Sequence, residues 1–466
     1  MAMLQLEIND WAQENFGACQ LGDVRRTRRA VKLAAQVAAR PDGSTPEQTE
    51  AWPDCKAAYR LFDRDEVTFD ALCEPHWELT RNRDGGTWLL LGDTTEIDFR
   101  IQREISGLGP TGDGKGRGFF LHSSLMIDAD TGEIAGLAGA ELFHRKPAPK
   151  GETRRQQMNR ERESEVWGRV IDRVGTPPEG AHFIHVFDAG ADNFEVFCHL
   201  QIQKCGWVIQ AAHKHRRVFG PEGDRLPLQA LIDRQPVSGM SELSLRSRKQ
   251  ASGTKQSSRT ALLEVRHAPL TMPIPKTQTP FVQQCGIKRI PMWVIDIREV
   301  DAPADVKEPL HWVLLTSEPV QSFDDARTVI GWYEKRPVIE DYHKCLKTGC
   351  RVEERQYETS ERLEAVTGML SVVAIRLLQL KYVARSEPNV PAKRVVPPTW
   401  LEMLQAVQRG KRQIRTVRDF FRSLAMLGGF LGRKSDGEPG WITIWRGMNK
   451  LLMYLRGAAA IGRRYG

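Results

Sequence analysis

The sequence predicts an α/β protein in three parts: a mixed-sheet domain carrying a β-rich insertion, preceded and followed by helical regions. Three observations predict it. Apolar periodicity is helical to about residue 82, changes to period two and buried apolar runs from Thr87, and returns to helical beyond Glu361. Within the middle part strands come first and then alternate with helices, the order of a mixed sheet. From about His213 to Pro309 the helical signal gives way to strands separated by Ser-, Gly- and Pro-rich turns. At 466 residues the chain is too long for one compact core. The expected divisions are 1–82, 83–361 with the insertion at about 213–309, and 362–466.

Composition narrows the function classes. Hydrophobic residues are 41% and charged residues 27%, as in ordinary soluble globular proteins. No window is expected to approach the roughly 18 uncharged apolar residues of a membrane span. The start, Met1 to Asn15, has acidic residues and no apolar core, so a secretory signal is not expected. A cytoplasmic protein without a membrane partner follows. Lys plus Arg number 67 against 59 Asp plus Glu, a formal charge of +8, which suits a polyanionic partner but is weak evidence alone. Eight cysteines stand with no pair at CxxC spacing, so they read as reduced thiols rather than a zinc site.

The N-terminal elements follow in order. Ile8 to Phe16 is a short amphipathic helix. Asp23 is placed to cap a longer one, Val24 to about Ala39. Pro41 to Thr49 reads as a polar loop, and Asp54–Phe62 and Phe69–Trp77 as two more helices. The second helix carries Arg25, Arg26, Arg28 and Arg29, with only Asp23 nearby in sequence to balance them. Either they form a solvated face or an anion lies across them, as DNA phosphates would.

The sheet begins with Trp88–Leu91, a buried strand expected to end at Gly92-Asp93-Thr94-Thr95. Phe119–Ile127 and Glu133–Leu142 form a hairpin across Asp130-Thr131-Gly132. Glu152 to Arg173 is charged and helix-like. His182–Phe187 is a strand ending at Asp188, followed by a helix from Asn193 to Gln203 and a strand from Gly206 to Ala212. Strands at Leu243–Arg246, Ala261–His267 and Met292–Val300 make the insertion. Trp312–Thr316 resumes the α/β pattern. Helices from about Phe323 to Arg336 and from Pro337 to Lys347 follow, then the long segment Leu363–Ala384.

Asp93 and Asp188 both stand at expected strand ends, where an α/β sheet places working groups. Each alone reads equally as a turn-former. Tyr333, Arg336, Glu340 and Lys347 then follow with gaps of two, three and six residues, and Glu340 and Lys347 fall on one face of a regular helix with Lys344 between. Three carboxylates on separate elements beside Arg, Lys and Tyr suit phosphodiester chemistry. Carboxylate oxygens hold Mg²⁺ and cations clamp the phosphate.

These gaps match the YREK signature of the bacterial insertion-sequence DDE transposases, and the chain resembles their IS-four group nearly end to end. Leu21-Gly22-Asp23-Val24-Arg25-Arg26-Thr27 resembles the family's DNA-contacting segment, and Gly92–Thr95 and Val186–Asp192 its first two aspartate blocks. Trp312–Val320 resembles the block near its base-flipping pocket, and Leu427-Gly428-Gly429-Phe430 one in its C-terminal helices. The resemblance implies a ribonuclease H-like core with Asp93, Asp188 and Glu340 as catalytic and metal-binding triad, using Mg²⁺ with Mn²⁺ as substitute. It implies DNA contacts at Tyr333, Arg336 and Lys347, and a tryptophan, Trp312, that stacks on a flipped base. Residues 1–82 would bind the inverted-repeat ends and 362–466 would form the homodimer that joins two ends to target DNA at the bacterial nucleoid. Gln210 departs from the family's arginine; His213, Lys214, His215, Arg216 and Arg217 follow it and could take over that contact. Two other classes stay open: a transposase-derived DNA-binding inhibitor, and a nuclease on the same fold that cuts without joining.

Overall fold

The computed structural model describes residues 8–49, 51–99, 105–146, 149, 151–153, 156, 160, 162–245, 248–249, 255–256, 258–303, 306, 308–386, 388–408, 413–433 and 436–465. Helix α1 (Ile8–Phe16) is followed by α2 (Val24–Ala39), which starts where the Asp23 carboxylate accepts the Arg25 amide at 2.8 Å. Helices α3 (Trp52–Phe62) and α4 (Phe69–Arg81) complete the first region. The stretch expected as a polar loop contains one helical turn, Thr45–Gln48, because Ser44 and Glu47 form a reciprocal capping box around Pro46.

The central sheet opens with β1 (Gly86–Asp98), β2 (Gly109–Thr111), β3 (Gly116–Asp128) and β4 (Ile134–Phe143). After α5 (Val166–Val174) come β5 (Ala181–Phe187), α6 (Phe194–Ile202) and β6 (Gly206–Gln210). Strands β1 and β4 run antiparallel to β3 between them, whereas β5 is parallel to β1 and β6 parallel to β5, in the order β4-β3-β1-β5-β6. The long strands of the insertion join the same sheet: β9 (His311–Thr316) pairs with β6, β8 (Arg289–Val300) with β9 and β7 (Arg259–Pro273) with β8. In the charged segment 152–173, the continuously described part from residue 162 enters an α-helix at Val166, after a tight 3₁₀ turn at Glu163–Glu165. Its residues 154–155, 157–159 and 161 lie outside the described residues, as does Arg246 of the first expected insertion strand.

Two expectations near the site are corrected. Strand β1 does not end at Gly92: Thr94, Thr95 and Glu96 continue it, paired against His122, Leu121 and Phe120, so Asp93 sits mid-strand. Helix α8 (Val338–Lys344) does not continue to Lys347 as a regular helix. It loosens into a π turn at Cys345–Gly349, whose i→i+5 bonding displaces Lys347 from the register it would share with Glu340.

Helix α7 (Phe323–Glu334), begun by a Ser322/Asp325 capping box, precedes α8. Helix α9 (Ser360–Ser386) then runs through the middle of the molecule. Against expectation its Ser360–Val383 stretch is long and apolar enough to cross a membrane, but 94% of that window is buried within the protein. Its Val366, Leu370, Val373 and Leu377 share one core with Leu33 of α2, Phe62 of α3, Leu72 of α4 and Leu91 of β1. A second core lies under the opposite sheet face, between Phe183, Phe187 and Val294 of the sheet and Ile171 and Phe197 of α5 and α6. The C-terminal helices α10 (Pro398–Val407), α11 (Val417–Leu427) and α12 (Trp441–Tyr465) pack a third. There α11 and α12 cross at Gly428 and Gly447; a Cβ on Gly447 would lie 1.8 Å from the Leu424 carbonyl.

Candidate active site

Three separate elements deliver the carboxylates. Asp93 comes from β1, Asp188 caps the 3₁₀ turn after β5, and Glu340 stands in the first turn of α8. Leu91 and Val186 are register partners in the parallel β1–β5 pair, and each aspartate lies two residues beyond its partner. Gly92 makes this closeness possible: a Cβ there would meet the Phe187 ring at 2.3 Å. Asp188 accepts the Gly190 amide at 2.8 Å, which fixes its carboxylate at the turn.

Arg336 sits between the carboxylates. Its Nη2 donates to Glu340 Oε1 at 2.9 Å, and its Nη1 lies 3.9 Å from Asp93 Oδ2. The Arg336 and Asp93 side chains are only 17% and 22% exposed, so their charges interact in a medium far less screening than water. Burial pushes the Asp93 carboxyl up to about 6. Arg336 and the Thr94 amide oppose that rise, while Asp188 and Glu340 add to it.

The remaining signature residues take up roles the sequence did not announce. Tyr333 is buried, its ring edge-on to Trp312 at 5.2 Å, and its hydroxyl donates to Gln210 Oε1 at 2.6 Å. Gln210 thus orients the tyrosine. Lys347 pairs at 3.1 Å with Glu353, which also accepts the Asp98 amide and so ties the π turn to the end of β1. Trp312 is partly buried against the first core. Asp192, a second candidate in the same block as Asp188, is consumed structurally. It is buried, pairs with Arg216 and accepts the Ala212 amide at 2.7 Å. Arg216 therefore braces the turn, and nothing in periodicity or spacing marks that pair in advance.

Beneath Asp93 lies a buried imidazole layer. His122 shares a hydrogen bond with Thr94 at 2.8 Å, and burial drives His122, His185 and His343 down to about 3, so all three are neutral.

For a metal ion the donor set is suitable, since carboxylate oxygens are the ligands that Mg²⁺ takes. A cationic group already lies between Asp93 and Glu340, which marks the gap as one that favours positive charge, while its buried Nη1, without a hydrogen-bond partner, is a donor suited to an anionic oxygen. With the guanidinium there, no group of three or more His, Cys, Asp or Glu among the described residues stands within common reach of one ion.

The arginine helix is divided. Arg26 pairs with Glu66 at 2.9 Å and Arg29 with Asp54 at 2.7 Å, partners that sequence proximity to Asp23 did not suggest. Arg25 and Arg28 are exposed and make no ion pair among the described residues. At the other end, in the region 362–466 expected to form the homodimer, Leu424, Trp445, Leu451 and Leu452 are buried within the chain. Leu431, Met453 and Tyr454 remain exposed, and the Trp441 side chain lies outside the described residues.

Helical regions at both ends, a central mixed sheet, an open arginine pair and a carboxylate–arginine site describe a protein suited to acting on a phosphodiester polyanion. The comparisons are more particular. Residues 8–67 match the family model for transposase DNA-binding, and residues 372–466 match the model for the Tn5 transposase dimerisation domain. The two matches support a Tn5-like transposase that binds DNA through one end and forms a homodimer through the other.

Proposed function

We propose that the chain is a cut-and-paste DNA transposase of the DDE type, in which Asp93, Asp188 and Glu340 form the triad. The observation that carries this reading is Arg336 held between Asp93 and Glu340, with Asp188 near enough to raise the Asp93 carboxyl, in a chain whose ends match transposase models. The strand order β4-β3-β1-β5-β6, with its antiparallel and then parallel pairing, supports a ribonuclease H-like core spanning about 83–361. The exact YREK gaps support the IS-four group.

The Lewis acidity for phosphodiester hydrolysis, hairpin formation and opening, and strand transfer would come from Mg²⁺ (or Mn²⁺) held by the triad. Asp93 must be ionised to serve as a ligand, so its value near 6 sets a lower pH limit on activity. Arg336 neutralises the cluster before DNA arrives and is positioned to turn onto the scissile phosphate. Lys347 and Tyr333 border the same approach, and Trp312 offers an aromatic edge for a flipped base. Arg25 and Arg28, the open pair of α2, hold inverted-repeat ends while Arg26 and Arg29 brace the same helix, and a homodimer through 362–466 holds two ends for insertion into target DNA at the bacterial nucleoid.

A duplex bearing the inverted repeat of the encoding element, incubated with Mg²⁺ and a target plasmid, tests this. Wild-type protein should cut and join. Asp93→Ala, Asp188→Ala and Glu340→Ala should each still shift the duplex in a gel without cutting it. Cutting that survives any one replacement removes that residue from the triad, and cutting without joining selects the nuclease reading.

A further inference from the structure

On the sheet face opposite Asp93, a hollow of about 420 Å³ opens beside the site, within the size range of small-molecule pockets. Register fixes its side. Asp93 pairs with Ser123, whereas Thr94 pairs with His122, and Glu96 pairs with Phe120, itself the partner of Phe143. Residues directly opposite each other share a face, and successive residues alternate. The hollow lies towards the turn that holds the second aspartate: Trp167, in its wall, packs 4.8 Å from Phe187 and would lie 3.5 Å from a Cβ on Gly190, whose amide Asp188 accepts.

The walls are aromatic and the rim acidic. Phe120 and Phe143 stack at 5.5 Å with 24° between their planes, and the Arg145 guanidinium lies 4.4 Å over Phe120. Arg145 is already committed to Glu163, at 2.8 and 3.2 Å. Glu96 accepts the Gly112 amide at 2.9 Å. Each carboxylate keeps acceptor positions to spare. A phosphate does not suit this place, because two carboxylates oppose one arginine that is already paired. A planar ring whose edge donates hydrogen bonds suits both features: its face stacks and its N–H groups meet the carboxylates.

We propose that this hollow receives a single unstacked nucleobase bearing an exocyclic amino group, adjacent to the phosphate under attack. The inference rests on the reading of the chain as a DNA-cutting enzyme. It concerns a different face from Trp312, which packs against Tyr333 and the first core. The base comes either from the strand flanking the cut or from target DNA.

Photo-cross-linking with 5-iodocytosine separates these sources, with full-length Glu340→Ala protein to hold the DNA uncut. One arm scans the probe through the flank of an uncleaved end. The other scans it through a target duplex presented with pre-cleaved ends. A cross-link to Phe143 or Trp167 from a single position is expected in one arm, and the arm names the source. Cross-links confined to other residues in both arms overturn the proposal.

In the wild-type background, Phe143→Leu should slow the corresponding step, cutting or joining, by roughly tenfold, within the range of one lost base–aromatic stack. Phe143→Tyr should restore it. A Phe143→Leu protein matching wild type in both steps also overturns the proposal. Protein that shifts no DNA overturns the functional reading itself. Protein that cuts and joins normally with these cross-links missing overturns only the base hollow.

Discussion

The arginines of α2 and the arginine of the active site differ in how their charge is held. On α2, Arg26 and Arg29 are tied to Glu66 and Asp54, while Arg25 and Arg28 extend into solvent. At the site Arg336 and Asp93 are largely covered, Glu340 alone reaching solvent, and the Asp93 carboxyl is displaced to about 6. Screened charges act by their number, and each can be removed at modest cost. Covered charges act by arrangement, so removing one alters the protonation of the rest.

Predictions that break or sharpen this contrast run from large to small. Alanine at Asp93, Asp188 or Glu340 should lower cutting by about 10³-fold or more, the scale of losing a catalytic group, while gel-shift affinity stays near wild type. Next comes acid lability. His76, His122, His185 and His343 are held near 3 by burial, so the folded state resists their protonation. Stability from these groups is complete above the unfolded value near 6.5 and is lost as pH falls below it, by about 2–3 kcal/mol per histidine at pH 4.5. A thermal-melt series from pH 8 to 4.5 with a flat midpoint would sink this.

Asp93→Asn tests the covered site in the opposite direction. The raised carboxyl value means that ionised Asp93 disfavours folding above about pH 6, and the penalty vanishes below about pH 4. The variant should therefore be more stable than wild type at pH 8, by about 2 kcal/mol, with the gain gone at pH 4. Denaturant melts at both pH values decide it.

On α2 the effects are smaller. Arg25→Ala with Arg28→Ala should flatten the log–log salt dependence of end binding by about 0.9 per lost phosphate contact. Arg26→Ala with Arg29→Ala should mainly cost stability, about 0.2–1 kcal/mol per broken pair. Equal slope changes in the two double variants would erase the distinction between open and tied arginines.

Local sequence announced what local physics decides. The bounds of α1 and α2 and the Asp23 cap follow from apolar spacing and one short acceptor side chain. That Asp93 and Asp188 lie beyond the ends of neighbouring buried runs, and that Arg336 can reach Glu340 four residues on, was legible from apolar patterning and helical spacing. Long-range pairing was not. Asp54 and Glu66 reach α2 from later helices, and Gln210 reaches Tyr333 across 123 residues. The continuation of β1 past Gly92 depends on β3 lying alongside, and the π turn after Lys344 is invisible to a 3.6-residue period. The Phe120–Phe143 hollow needs β3 and β4 paired before its residues meet at all.

The placement of α9 sets a schedule for synthesis. Cys73 Sγ of α4 donates to the carbonyl of Gly368, 295 residues later in the chain, and Tyr357 closes over Thr45, Tyr59 and Phe62. A ribosome adding 5–20 residues per second needs about 15–60 s to cover that distance. Until then the side of the first helices that faces α9 stays open, although α4 can already dock on β4, where His76 accepts the Leu137 amide at 3.0 Å. The segment matched as DNA-binding is thus made well before the helix that completes its core, so a message truncated ahead of α9 would yield a fragment without that helix.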